Sequence, residues 1–213
     1  MEILELMRQR HSVRKYKKMQ IPDETREKLD EFAKKMNKKY GTALQVVYDE
    51  PSAFDCLLAR NFENVDNYLI VGADNMQQAG FVGELFVLMA QSLGLNSCWA
   101  ALTYSKSVVN KIAKIKSKTM LVIAIGYGQT NGVAHKNKPV EKLVQLTGEK
   151  PEDFDNVVEA VMLAPTAINQ QKFKLLCNNG DYAVKNFGKG FYQNIDLGIV
   201  EAHLALATGK IKL

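Results

Sequence analysis

A chain of 213 residues, 46% of them hydrophobic, is long enough to bury a full core, as one domain or as two small fused ones. The net charge of +5 suits an anionic ligand such as a phosphorylated cofactor; the basic clusters at 34–39 and 106–118 carry no interleaved aromatics and read as solvated faces, not a nucleic-acid surface. Three separated cysteines without a CxxC pair, and three histidines at no ligand spacing, argue against a disulfide framework and a metal site. No apolar run approaches the ~18 residues of a membrane span, and an N-terminus carrying Glu2 and Glu5 does not pattern as a signal peptide, so a cytoplasmic location with reduced thiols is expected.

Residues 2–9 pattern as a helix leading into Arg10-His11-Ser12-Val13-Arg14. Two guanidiniums and a hydroxyl within that short run form either a solvated helix end or a cradle for phosphate and carbonyl oxygens. Pro22, Asp23 and Glu24 open a second helix to about residue 37, because proline and acids favour a first turn. Residues 45–48 and 68–71 are short strand candidates. The longest helix, 76–93, is apolar almost all round (Phe81, Val82, Leu85, Phe86, Leu88, Met89), the mark of burial on more than one side. Met120 to Ile125 is an unbroken apolar strand of the kind found in mid-sheet, and a polar loop follows at 129–138.

The later part of the chain repeats this order. Residues 22–48 fall without gaps on 151–177, so that Pro22-Asp23-Glu24 meets Pro151-Glu152-Asp153 and Leu44-Gln45-Val46-Val47 meets Phe173-Lys174-Leu175-Leu176. A shift of 118 positions sets Gly80-Phe81-Val82 on Gly198-Ile199-Val200. An acidic helix start, a helix, an apolar strand and a glycine-entered apolar helix thus recur, and the chain reads as a single unit of two related halves, 1–130 and 131–213.

Arg10-His11-Ser12-Val13-Arg14 followed by Ile21-Pro22-Asp23 resembles the opening of the FMN-dependent nitroreductase family. Ala164-Pro165-Thr166-Ala167-Ile168-Asn169-Gln170-Gln171-Lys172-Phe173 is similar to that family's alanine-proline motif, Gly94-Leu95-Asn96-Ser97-Cys98-Trp99-Ala100 to the loop after its central helix, and Lys136-Asn137-Lys138-Pro139 to its late basic motif. The resemblance implies an α+β fold with a central, mainly antiparallel sheet flanked by helices, the helices 76–93 and 196–208 being paired at the core. It also implies roles. Arg10 and Ser12, with His11 beside them, bind the FMN phosphate and ribityl chain. Arg14 reaches the pyrimidine edge, where its charge favours the reduced anion. Lys136 and Lys138 close around the phosphate. Trp99, Ala100 and Ala101 lie along the ring, Pro165, Thr166 and Ala167 pack on its dimethylbenzene side, and Asn169 and Gln171 hydrogen-bond its polar edge.

On residue type alone, Trp99 is equally a core residue, Lys136 and Lys138 are equally solvated loop charges, and Asn169 and Gln171 read first as loop and strand-start polar groups. His203 reads as a satisfied core histidine and Cys98 as a small buried filler. The sequence departs from the family in placing the alanine-proline motif in the second half and in carrying Lys172 where proline is usual. The resemblance implies an oxidoreductase passing hydride from NADH or NADPH through FMN to an electron-poor acceptor such as a nitroaromatic or quinone, with no dedicated side-chain proton donor. A non-catalytic FMN-storing or -sensing protein is the alternative. A pseudo-dimeric monomer is expected, with a homodimer as the other arrangement.

Overall fold

The computed structural model describes residues 2–213. In chain order it contains α1 (Ile3–Gln9), α2 (Asp23–Tyr40), β1 (Ala43–Val47), β2 (Asn67–Gly72), α3 (Met76–Ser92), β3 (Asn96–Ala100), α4 (Lys106–Ile112), β4 (Thr119–Gly126), α5 (Val140–Leu143), β5 (Val144–Thr147), α6 (Phe154–Met162), β6 (Phe173–Asn178), β7 (Asp181–Asn186) and α7 (Gln193–Ala207), with three short 3-10 turns. The chain divides into two compact units. One comprises Gln9–Asn75 and Phe86–Val133; the other comprises the described residues up to Arg8, together with Met76–Leu85 and Ala134–Leu213. No helix among the described residues is long and apolar enough to cross a membrane.

The first unit is built on a four-stranded antiparallel sheet in the order β1-β2-β4-β3. The apolar run at 120–125 makes β4 an interior strand, buried from Leu121 to Gly126, and β2 is buried along its whole length. The stretch after the long helix, expected as a loop, is strand β3 instead. Alternating burial cannot announce it, because four of its five residues are buried. Helix α2 lays Leu29, Phe32, Ala33 and Met36 inward at helical spacing, starts on Asp23 and Glu24, and ends on Lys38 and Lys39, charges that complement its dipole. Gly41 closes it in the left-handed conformation, donating its N–H to the Asn37 carbonyl.

The second unit has its own three-stranded sheet, β5-β6-β7, with β5 parallel and β7 antiparallel to β6. Asn179 and Gly180, both at positive φ, form the two-residue turn between β6 and β7. Within this unit the start of α3 meets α7 at two glycines. A Cβ on Gly80 would collide with the Ile195 carbonyl, and a Cβ on Gly198 would collide with the Gln77 carbonyl. The two contacts are related by the 118-residue shift that aligns Gly80 with Gly198. Close backbone approach is what glycine permits there, at the expense of about 1 kcal/mol of helix propensity each.

Next to this contact lies a wholly buried polar pair. His203 on α7 and Glu84 on α3 are both 0% exposed. His203 Nδ1 lies 2.7 Å from the Ala160 carbonyl, which can only accept, so Nδ1 carries a proton. Nε2 lies 3.0 Å from Glu84 Oε1, and a second proton sits between them whichever partner holds it. His203 is thus the satisfied core histidine its apolar helix suggests; its acidic partner was hidden in a helix read as apolar almost all round.

Candidate functional site

The first group of motif residues belongs to the first unit. Past α1 the chain extends and runs along the outer edge of β3, where Ser12 forms a parallel bridge with Ser97 and the Val13 N–H donates to the Ser97 carbonyl at 2.9 Å. Tyr16, buried, anchors this segment by donating its hydroxyl proton to the Val13 carbonyl at 2.7 Å. The pairing brings Arg10, Ser12 and Arg14 beside Cys98 and Trp99. Arg10 is buried, Ser12 and Arg14 are exposed, and His11 is half-buried with Gly132 against its Cβ. Trp99 and Ala101 are half-buried and Ala100 is buried.

The Cys98 thiol reports the electrostatics of this corner. Burial pushes it up, while Arg14, Arg10 and a hydrogen bond with Ser12 pull the other way. Desolvation wins, so the thiol stays protonated, as a buried filler does. Two guanidiniums, a hydroxyl and strand backbone beside an indole are a donor set that fits a phosphorylated, planar anion.

The second group belongs to the second unit. Pro165 has no backbone N–H and restricts its predecessor, and α6 ends at Met162. A 3-10 turn over Ala167–Asn169 follows, with Ile168, Asn169 and Gln171 all at positive φ. For a β-branched residue this is an outlier that costs on the order of 1–3 kcal/mol and points to function. Ile168 is also 88% exposed, so burial does not explain it.

The amides of Asn169 and Gln171 are spent within the chain. Asn169 Nδ2 donates to the Lys136 carbonyl at 2.8 Å. Gln171 Nε2 donates to the same carbonyl at 2.9 Å and to Asn169 Oδ1 at 2.7 Å, and its Oε1 accepts from the Lys138 N–H at 2.9 Å. Lys138 Nζ donates to the Gln170 and Gln171 carbonyls. These bonds strap the 136–138 segment to the turn, so the contribution of Gln171 to any ligand is through the strap. Thr166 Oγ1 accepts from the Gln171 N–H at 3.0 Å, and Pro165 and Ala167 are half-buried. Lys136 and Lys138 also line an open cleft of about 590 Å³ against Asp155, Val158, Glu159 and Met162 of α6.

Two residues that organise this turn escaped sequence reasoning. Asp196, in the first turn of α7, accepts from the Ala167 N–H at 2.8 Å through Oδ1 and from Gln170 Nε2 at 2.6 Å through Oδ2. Gln170 Nε2 also donates to the Phe191 carbonyl. The signal was Asp196 in the first turn of a largely apolar helix.

Burial pushes the Asp196 carboxyl up to about 6 from 3.8, although its two hydrogen bonds lower it. The folded chain therefore binds this proton more tightly than the unfolded chain, and stability falls as pH rises through that window. We expect urea denaturation to lose up to about 3 kcal/mol of stability from this group between pH 3.8 and 6. In Asp196→Asn that component of the slope should vanish; an unchanged slope would remove Asp196 as its source.

Known structures share this fold. A protein from Thermotoga maritima described as a "putative nitroreductase" superposes with a TM-score of 0.71 at 21% identity, over 99% of this chain and 85% of its own. A "putative nitroreductase" from Desulfovibrio desulfuricans, solved in complex with FMN, gives 0.53 at 20% identity, over 70% of this chain and 96% of its own. A "Putative NADH dehydrogenase/NAD(P)H nitroreductase" from Parabacteroides distasonis gives 0.53 at 19% identity, over 66% and 95% respectively. The α+β architecture is therefore of the nitroreductase type. Residues 2–208 match the family described as "Putative TM nitroreductase", and the chain belongs to that family. Among curated proteins none matches it.

Proposed function

We propose that the protein is an FMN-dependent oxidoreductase that takes hydride from NADH or NADPH and passes it to an electron-poor acceptor such as a nitroaromatic or a quinone. The observation that carries this reading is the pairing of Ser12 with Ser97, which holds Arg10, Ser12 and Arg14 beside Cys98 and Trp99. Family membership supports it.

When bound, the flavin supplies the hydride chemistry. The residues of the chain bind and polarise. Arg10 and Ser12 would donate to phosphate and ribityl oxygens, and the fixed charge of Arg14 would stabilise the negative charge a planar ring gains on reduction. Trp99, Ala100 and Ala101 present a flat wall of indole and backbone. In the second unit, Pro165, Thr166 and Ala167 supply a stiff apolar edge, while Lys136 and Lys138 supply positive charge on a strapped segment. No side chain is assigned a proton to donate.

The visible spectrum of the purified protein tests this reading. We expect flavin absorption that bleaches anaerobically on adding NADPH or NADH and returns when a quinone is added. Replacing Arg14 by alanine should weaken FMN binding about tenfold, the value of one charge-assisted contact. Protein that stays colourless after incubation with FMN would end the proposal.

A further inference from the structure

The outer face of the β6–β7 hairpin carries a concentration of positive charge that no ion pair among the described residues neutralises. Lys174 and Lys185 are direct cross-strand partners, so their side chains share one face of the sheet. Like charges directly opposite each other are unfavourable in an antiparallel pair. Lys189 follows in the loop after β7; the acid on this face of β7, Asp181, stands at the turn end of the hairpin, two same-face positions from Lys185, and no acidic residue occurs at 182–192. None of these three lysines forms an ion pair among the described residues. Lys174 Nζ instead lies 5.2 Å from the centre of the Phe187 ring.

Beside this charge stand exposed apolar groups. Phe191 is 78% exposed and Ile168 is 88% exposed. Their segments are stitched together: Gln170 Nε2 donates to the Phe191 carbonyl at 2.6 Å, and Lys172 Nζ donates to the Lys189 carbonyl. Tyr192, next in sequence, is held at positive φ. A strained aromatic platform and a triad of lysines thus adjoin the turn at Thr166–Gln171.

We propose that this face binds the adenosine end of the nicotinamide donor, with Lys174, Lys185 and Lys189 on its 2′-phosphate and pyrophosphate and the adenine stacked on Phe191. The inference rests on the oxidoreductase reading above and adds a preference for NADPH over NADH. Charge complementarity selects the occupant. A compact, multiply charged phosphate ester removes the Lys174–Lys185 repulsion, and a planar base covers one exposed aromatic ring.

The test is a calorimetric titration of the full chain with 2′,5′-ADP, in FMN-loaded and flavin-free protein. Binding is expected in both forms, weakening steeply with salt and falling about tenfold for each of Lys185→Ala and Lys189→Ala. In turnover those variants, and Phe191→Ala, should raise KM for NADPH while leaving flavin content, reduction by dithionite and the melting temperature unchanged. Protein that is yellow and bleached by NADH, yet does not bind 2′,5′-ADP, would overturn this inference and leave the oxidoreductase reading intact. Tighter binding of poly(U) than of 2′,5′-ADP would also overturn it, in favour of a polyanion surface. Protein that takes up no FMN would overturn the oxidoreductase reading and the donor assignment with it, whether or not 2′,5′-ADP binds.

Discussion

Replacing His203 by leucine is expected to cost about 3–5 kcal/mol of stability, because it strips Glu84 of its imidazole partner at a place with no access to water. The Ala160 carbonyl loses its 2.7 Å hydrogen bond in the same step. Replacing both partners, as Glu84→Met with His203→Leu, should recover most of the loss, since two apolar side chains need neither desolvation nor a shared proton. Urea denaturation of the two single variants and the double variant measures this. Single variants that lose under about 1 kcal/mol would show that the pair is not the buried, mutually dependent unit described above.

Changing Gly198 to alanine should be nearly as damaging. In an isolated helix the substitution would gain about 1 kcal/mol. Here the new methyl group would drive into the Gln77 carbonyl and crowd the Phe81 N–H, both of them backbone atoms that cannot swing aside. Parting two helices to make room costs about 3 kcal/mol, so the clash outweighs the propensity. Gly80→Ala meets the Ile195 carbonyl and should behave alike. By contrast, Gly209→Ala near the chain end has open space around its Cβ position and tests only the left-handed backbone. A Gly198→Ala protein as stable as the parent would show that the helices do not meet this closely in solution.

What the sequence made legible follows from where its signals are strongest. The apolar runs of α3 and β4 could be read because elements buried on nearly all sides carry few polar residues, Glu84 in α3 being an exception. Strand β3 reads as a loop because Gly94 before it and Asn96 and Ser97 at its start dominate a local reading. Strand β7 was not anticipated, although Asn179-Gly180 is a turn signal between β6 and β7, because exposed and half-buried residues alternate along it with little apolar character. For the candidate site, residue types led to Arg10, Ser12, Arg14 and the 164–171 stretch, but not to how amides would be spent. Whether Gln171 faces a ligand or Lys136 and Lys138 depends on a positive φ that glutamine composition does not announce. Asp196 was invisible for the same reason: its partners, Ala167 and Gln170, lie 29 and 26 residues away.

The Glu84–His203 pair also bears on which surfaces this chain will accept as neighbours. Helices α3 and α7 carry matching glycines at Gly80 and Gly198, so either could in principle pack against its own kind from a second molecule. Carry the 118-residue correspondence through such a contact and the outcome changes. In an α3–α3 pair Glu84 would face Leu85, the counterpart of His203; in an α7–α7 pair His203 would face Ala202, the counterpart of Glu84. Each like pairing buries a polar group against a hydrocarbon wall, and only the unlike pairing joins carboxylate to imidazole. One ill-matched position on each of two otherwise similar helices is thus enough to favour the α3–α7 contact over an α3–α3 or an α7–α7 one.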